Sequence, residues 1–126
     1  MMDRKALVLT HTGQLSQLQL PDQGPGDVVG RAIREAIECA YFEVVRLTDA
    51  WDMWLDEEGL FSKPLNLYAT ALGYQYGRIY HPLRGAVLFA TADAHGDTLG
   101  LTPDQAAALR AQLTGLEIFP PVSVAS

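Results

Sequence analysis

The chain has 126 residues, enough for one ordinary domain, and its 48% apolar and 19% charged residues exclude a disordered chain. It contains no apolar run near the ~20 residues that span a bilayer and no apolar leader, so we expect a cytoplasmic protein without membrane contact. The net charge of −6 argues against general affinity for duplex DNA, and the single cysteine, Cys39, excludes an intramolecular disulfide.

The charge is unevenly distributed along the chain. Residues 1–58 hold eleven acidic and five basic residues, and residues 93–126 hold four acidic residues and one basic residue. Residues 59–92 contain three basic residues and no acidic one, so this middle segment has a net charge of +3. The middle segment is therefore compatible with an anionic partner, although the chain as a whole is acidic.

The hydrophobic pattern and the turn residues predict nine elements in chain order. They are strands at 5–10 and 15–20, a helix at 27–38, strands at 41–47 and 51–56, a helix at 66–73, strands at 84–91 and 98–101, and a helix at 103–113. This order lacks strict alternation of strands and helices. It predicts one α+β domain, residues 1–118, with three helices on a mainly antiparallel sheet of five to six strands, followed by an extended tail at 119–126.

Several single residues carry their own predictions. Asp27 and Thr102 have side chains that cap helices, and Gly73 is expected to end the second helix. Gly30 lies inside the first helix and is expected to mark a close approach to the sheet. Trp54 points away from the core face of its strand, so either a helix or a loop covers it, or it belongs to a contact surface.

A run of acidic residues is the candidate for acid–base chemistry. Asp52 and Asp56 share one face of a predicted strand, and Glu57 and Glu58 follow at once. Carboxylates held close together raise the pKa of one member, which is what a general acid requires. The alternative is that these residues form a solvated strand edge and turn.

The segment 74–84 interleaves aromatic and basic residues without any acidic one. Tyr74, Tyr76, Arg78 and Arg84 offer the stacking surfaces and cations that a single-stranded nucleic acid or an anionic small molecule would need. The alternative is that the tyrosine rings pack on the body of the domain and the arginines lie in solvent.

Other reactive residues are isolated along the chain. The three histidines, His11, His81 and His95, are widely spaced, so we predict no metal site. Cys39 and Ser62 have no base nearby in sequence, so we predict no catalytic nucleophile. No cofactor-binding motif is present, so we expect no bound cofactor.

The segment 52–72 resembles a known family pattern. The match consists of Asp52-Met53-Trp54-Leu55-Asp56-Glu57-Glu58-Gly59-Leu60, then Lys63-Pro64-Leu65-Asn66, then Ala69-Thr70-Ala71-Leu72. It is similar to a family of small domains of unknown function found in phages, plasmids and some bacterial chromosomes.

The resemblance implies a signature and a context, but no activity. The signature is Glu58-Gly59-Leu60, Pro64, Asn66 and Ala69-Thr70. From the residues themselves, Glu58 suits a turn, Gly59 a positive φ, Asn66 a helix cap and Thr70 helix packing. The mobile-element context implies interaction with host nucleic-acid or defence machinery.

The preferred hypothesis is a small binding module, without enzymatic activity, that uses a surface within residues 57–84. Its partner is expected to be another protein or a second copy of the chain. The alternatives are a small enzyme with carboxylate chemistry at residues 52–58, and a binder of nucleotides or single-stranded nucleic acid at residues 74–84. The candidate binding residues are Glu58, Asn66, Thr70, Tyr74, Tyr76, Arg78 and Arg84.

Overall fold

A computed structural model describes residues 4–59 and 62–125 of the chain. Three helices and seven strands follow one another along these residues in the order that the sequence predicts, with one additional strand at the end. The elements are β1 Ala6–Leu9, β2 Gln14–Leu18, α1 Val28–Ile37, β3 Phe42–Arg46, β4 Asp52–Asp56, α2 Leu67–Gln75, β5 Val87–Ala92, β6 Thr98–Leu99, α3 Pro103–Thr114 and β7 Ser123–Val124.

All seven strands belong to one open sheet. Six of them lie in the order β3-β4-β5-β1-β2-β7, and β6 pairs with the end of β5. Every pairing is antiparallel except that of β7 with β2, which is parallel. The α+β class and the mainly antiparallel sheet are therefore confirmed, and β3 and β7 form the two edges.

The helices cover both faces of the sheet. On one face, Ile33 and Ile37 of α1 pack on Leu88 and Ala90 of β5. On the other face, α2 and α3 bury a larger cluster against the alternate residues of the same strands, including Phe89. Because successive strand residues point to opposite faces, each central strand contributes to both clusters.

Trp54 lies on the α1 face, so a helix covers it. Its ring packs edge-on against Phe42 with a centroid distance of 4.7 Å, and both rings border the cluster beneath α1. Trp51, Met53 and Leu55 point to the opposite cluster, as the alternation predicts.

The predicted caps of α1 and α3 are confirmed. The Asp27 carboxylate accepts a hydrogen bond from the backbone N–H of Gly30 at 3.2 Å. Thr102 and Gln105 form a reciprocal capping box, with Pro103 in the first turn of α3.

One glycine prediction was wrong, and a second glycine has a local role. A Cβ at Gly30, which is buried in α1, would meet the capping carboxylate of Asp27 at 2.4 Å, so the absence of a side chain leaves room for the cap. Gly73 does not end α2, which continues to Gln75. Gly73 is instead a packing position, since a Cβ would lie 2.7 Å from Ile79.

The C-terminal tail is extended and contributes to the sheet. Ser123 and Val124 form β7 beside Gln14 and Leu15 of β2, and the Val122 side chain is buried in the α2–α3 cluster. Among the described residues, no helix is long and apolar enough to cross a membrane.

Candidate binding surface

The loop between α2 and β5, residues 76–84, is held to the domain at three points. Tyr76 donates a hydrogen bond to the Gln112 side chain at 2.7 Å, and its ring contacts Trp51. Ile79 and Leu83 are both buried in the α2–α3 cluster. The loop is therefore fixed by its own side chains rather than suspended in solvent.

Asn66 is a fully buried cap at the start of α2. Its side-chain oxygen accepts a hydrogen bond from the Ala69 N–H at 3.0 Å. Its amide group donates to the backbone carbonyls of Leu9 at 3.3 Å and Gly85 at 2.8 Å. One side chain thus joins a helix, the central strand β1 and the end of the loop.

Thr70, one turn further along α2, anchors the same loop. Its hydroxyl donates to the Asn66 carbonyl at 2.7 Å and accepts from the Leu83 N–H at 2.8 Å. Asn66 and Thr70 therefore lie beneath the surface. Their contacts are those of a helix cap for Asn66 and of helix packing for Thr70, as predicted.

Three loop residues point outward between these anchors. Arg78, Tyr80 and His81 are all exposed, and Tyr80 is 95% accessible. Tyr74, at the end of α2, is 48% accessible. We call Arg78, Tyr80 and His81 the loop surface.

The loop surface borders a narrow cleft against β3 and β4. One cavity of about 90 Å³ is lined by Arg78 and Tyr80 on one wall and Glu43 of β3 on the other. A second cavity of about 90 Å³ continues past His81 to Glu57 and Arg84. The cleft therefore brings acidic and basic side chains of distant segments together.

Lys63 holds the end of this cleft to the end of α1. Its ammonium group forms an ion pair with Asp56 at 2.9 Å and donates to the carbonyls of Ile37 at 2.8 Å and Glu38 at 2.6 Å. A cation suits the C-terminus of a helix, where free carbonyls concentrate negative charge. Arg84 donates to the Lys63 carbonyl at 3.2 Å, and its Nε atom is buried without a partner among the described residues.

Cys39 lies next to this ion pair. Partial burial raises the pKa of the Cys39 thiol above its ordinary value, and the negative charge of Asp56 acts in the same direction. The positive charges of Lys63 and Arg34 oppose the shift. The thiol is therefore less acidic than a free cysteine, whereas a nucleophilic cysteine requires a lowered pKa.

The acidic run does not bring Asp52 and Asp56 together. They lie four positions apart on an extended strand, a distance of about 13 Å between their Cα atoms. Asp52 pairs with Arg46 at 3.1 Å, and Asp56 pairs with Lys63. The Asp56 carboxylate also accepts the Glu58 N–H at 2.9 Å, which forms the predicted turn.

Gly59 corrects another prediction. Gly59 is not one of the described glycines that have a positive φ. A Cβ at Gly59 would instead lie 3.1 Å from the backbone oxygen of Arg84, so the residue allows two backbone segments to approach. Leu60, the third residue of this part of the signature, lies outside the described residues.

His11 and His95 lie in exposed turns, and Ser62 is exposed in a separate turn. In the described ranges, no three His, Cys, Asp or Glu side chains are arranged to hold a metal ion.

The structure thus divides the seven candidate binding residues into three groups, of which Asn66 and Thr70 are the buried one. Glu58, Tyr74 and Arg78 are exposed, whereas Tyr76 and Arg84 are partly buried and bonded to the domain. Sequence reasoning missed Tyr80, Glu43 and Lys63. The signal for Tyr80 was its position between the apolar anchors Ile79 and Leu83, but Glu43 and Lys63 become relevant only through the tertiary contacts of β3 and α1.

Comparison with protein families identifies the chain. A family model described as a domain of unknown function, DUF3846, matches residues 5–114. The chain belongs to this family. The match spans every element from β1 to α3, so the family corresponds to nearly the whole fold. Comparison with curated proteins and with solved structures found no match.

Proposed function

We propose that this member of DUF3846 is a binding module without enzymatic activity, and that it recognises a protein partner through the loop surface. We further propose that the partner belongs to host nucleic-acid or defence machinery, since the sequence resembles domains carried by phages and plasmids. In this view, the signature residues Asn66 and Thr70 support the surface from beneath.

One observation carries the proposal: Tyr80 is almost fully exposed on a loop whose flanking residues are anchored. Its neighbours Ile79 and Leu83 are buried, so Tyr80 is presented on a fixed backbone. A rigid, amphipathic tyrosine gives a large contact area at a low cost in conformational entropy. Arg78 and His81 add polar contacts on either side, which is typical of a protein-binding patch.

The charges of the cleft favour a protein over a nucleic acid. Glu43 and Glu57 line the same cleft as Arg78 and Arg84, and their carboxylates would repel phosphate groups. Tyr76 is turned toward Trp51 and Gln112, which leaves fewer rings available for base stacking. A protein surface with both signs of charge suits this arrangement better.

The separate neutralisation of the acidic residues favours binding over catalysis. Asp52 and Asp56 each pair with their own cation, so they lack the shared environment in which one carboxyl group becomes a general acid.

The test is an affinity purification of tagged protein from the source cell with a loop-surface variant, Arg78→Glu combined with Tyr80→Ser. We expect a protein that co-purifies with the unchanged chain to be lost from the variant, because charge and ring are both removed. The thermal midpoint should hardly move, since exposed substitutions usually alter stability by less than about 0.5 kcal/mol.

The matched control is Arg31→Glu, the same charge reversal at an exposed position of α1 on the other face of the sheet. It should retain the co-purifying protein. Co-purification that survives in the loop-surface variant would overturn the proposal. Nuclease-sensitive material that disappears with that variant would favour the nucleic-acid alternative instead.

A further inference from the structure

Strand β3 is an open edge of the sheet. Among the described residues it pairs with β4 alone, through five consecutive residue pairs from Phe42↔Asp56 to Arg46↔Asp52. Tyr41 and Val44 are 65% and 43% accessible there. An open edge of this kind offers a row of backbone donors and acceptors to another strand.

The register identifies which backbone groups face outward. The Leu47 N–H donates to the Trp51 carbonyl at 2.9 Å, and the Glu57 N–H donates to the Tyr41 carbonyl at 3.0 Å. Odd-numbered residues of β3 therefore bond to β4, because bonded and non-bonded pairs alternate in an antiparallel ladder. Phe42, Val44 and Arg46 present their N–H and C=O groups to the free side.

The edge lacks three of the usual features that prevent pairing, namely proline, lysine and a bulge. Residues 42–46 contain no proline or lysine, and the unbroken pairing with β4 contains no bulge. The two charges of the strand, on Glu43 and Arg46, are opposite in sign. They point to opposite faces of the strand, so a partner strand meets one charge on each face.

We propose that the partner strand is β3 of a second copy of this chain, paired antiparallel about a two-fold axis through Val44. This interface uses the backbone edge of β3, whereas the loop surface lies across the cleft that Glu43 lines, so different variants test the two proposals. The two sheets would join edge to edge into one continuous sheet, which is a common route to a symmetric dimer.

The position of the axis follows from counting the outward groups. With Val44 on the axis, it pairs with the partner's Val44, and Phe42 and Arg46 pair with the partner's Arg46 and Phe42. All three outward residues of each strand are then used, which gives six backbone hydrogen bonds. An axis through Glu43 or Val45 leaves some of these groups beyond the end of the partner strand.

Side-chain chemistry favours the same axis. An axis through Glu43 would set two carboxylates directly opposite each other, which destabilises a strand pair. With Val44 on the axis, two exposed valines face each other, and Arg46, whose guanidinium pairs with Asp52 of its own chain at 3.1 Å, lies opposite the partner's Phe42.

The test is sedimentation velocity over a range of protein concentrations with the variant Val44→Lys. We expect the unchanged chain to form dimers. The dissociation constant of the variant dimer should be at least roughly tenfold higher, because two ammonium groups meet at the axis. The control is Val124→Lys on the opposite edge strand β7, where the side chain is 46% accessible. The control should dimerise like the unchanged chain.

A crosslink tests the register. In a background with Cys39→Ala, the substitution Val44→Cys puts two thiols on a bonded pair with Cα atoms about 5.5 Å apart, within disulfide range. Glu43→Cys would leave the corresponding Cα atoms about 8 Å apart, too far for a disulfide. Mild oxidation should therefore give a covalent dimer with Val44→Cys and not with Glu43→Cys.

Three results would overturn the proposal: a monomer at every concentration, a dimer that survives Val44→Lys, or crosslinking with Glu43→Cys instead of Val44→Cys. Co-purification of the loop-surface partner is measured on the Val44→Lys variant in parallel. Its retention with loss of the dimer shows that the two interfaces are independent, and its loss with the dimer counts against their separation.

Discussion

Asn66 and Thr102 both cap helices, yet they contribute to the domain in different ways. Thr102 is partly exposed and forms a local capping box with Gln105. Asn66 is fully buried, and its amide also bonds the carbonyls of two distant segments, at Leu9 and Gly85. Loss of a buried partner leaves a polar group unsatisfied, which costs more than loss of a cap in contact with water.

Asn66→Ala is therefore expected to lower the free energy of unfolding by about 2–4 kcal/mol, because the cap and two buried hydrogen bonds are lost together. Thr102→Ala should cost about 1 kcal/mol. Urea denaturation followed by far-UV circular dichroism gives both values.

Asn66→Asp separates the two roles of this side chain. It keeps the oxygen that caps α2 but turns two amide donors into a carboxylate facing carbonyl oxygens. We expect it to be at least as destabilised as Asn66→Ala at neutral pH. A stability equal to that of the unchanged chain would contradict the buried-donor role.

Tyr76 and Tyr80 illustrate what residue type cannot reveal. Both tyrosines lie in the acid-free segment, and no periodic pattern distinguishes them because loops have none. In the structure, Tyr76 bonds Gln112 of α3 while Tyr80 is exposed. Their difference depends on where α3 lies, which is a tertiary property.

At the scale of elements, α2 shows a conflict between local preference and packing. Glycine lowers helix stability by about 1 kcal/mol relative to alanine, so Gly73 suggests a helix end. The helix continues through Gly73 because Ile79 packs against its Cα, with three side-chain atoms within 3.0 Å of where a Cβ would be. Tertiary contact thus overrides propensity at this position.

Gly73→Ala is expected to destabilise the domain by about 1–3 kcal/mol despite its better helix propensity, because the whole Ile79 side chain must move. Thermal or urea unfolding measures the change. A second variant, Ile79→Ala, makes room for the added methyl group.

The double-mutant cycle tests the cause of this destabilisation. In the Ile79→Ala background, Gly73→Ala should be neutral or stabilising, because only the gain in helix propensity remains. Additive losses in the double variant would show that the clash with Ile79 is not the cause.

For the whole molecule, the C-terminal tail is part of the fold. Ser123 donates to the Gly13 carbonyl at 2.8 Å and Ala125 to the Leu15 carbonyl at 2.8 Å, and Tyr68 donates to the Pro120 carbonyl. The buried Val122 side chain closes one side of the α2–α3 cluster. The tail follows residue 114, where the family match ends.

Deletion of residues 119–126 should lower the free energy of unfolding by about 2–4 kcal/mol, since it removes the burial of Val122 and the hydrogen bonds of β7. Differential scanning calorimetry measures the loss, and Val122→Ala should reproduce roughly half of it. Unchanged stability after deletion would mean that β7 is not formed in solution.

Local patterns in the sequence predict nine of the ten described elements, whereas β7 and the helices on both faces of the sheet emerge only in the structure. Strand alternation at Trp51, Met53 and Leu55, and caps such as Asp27 and Thr102, depend on neighbours a few residues away, so a linear pattern carries them. The uneven charge also pointed to the segment that contains the loop surface.

Which residues reach the surface, and which strands form the edges of the sheet, depends on tertiary contacts. Glu43 and Arg78 line the same cleft, and Asp56 and Lys63 form an ion pair. The members of each pair come from different segments of the chain. By net charge alone, the chain is an acidic domain. In the fold, a separate cation neutralises each of Asp52 and Asp56, and Tyr80 is exposed. The physical reason is that pairing and burial depend on distances in space, which chain order does not specify.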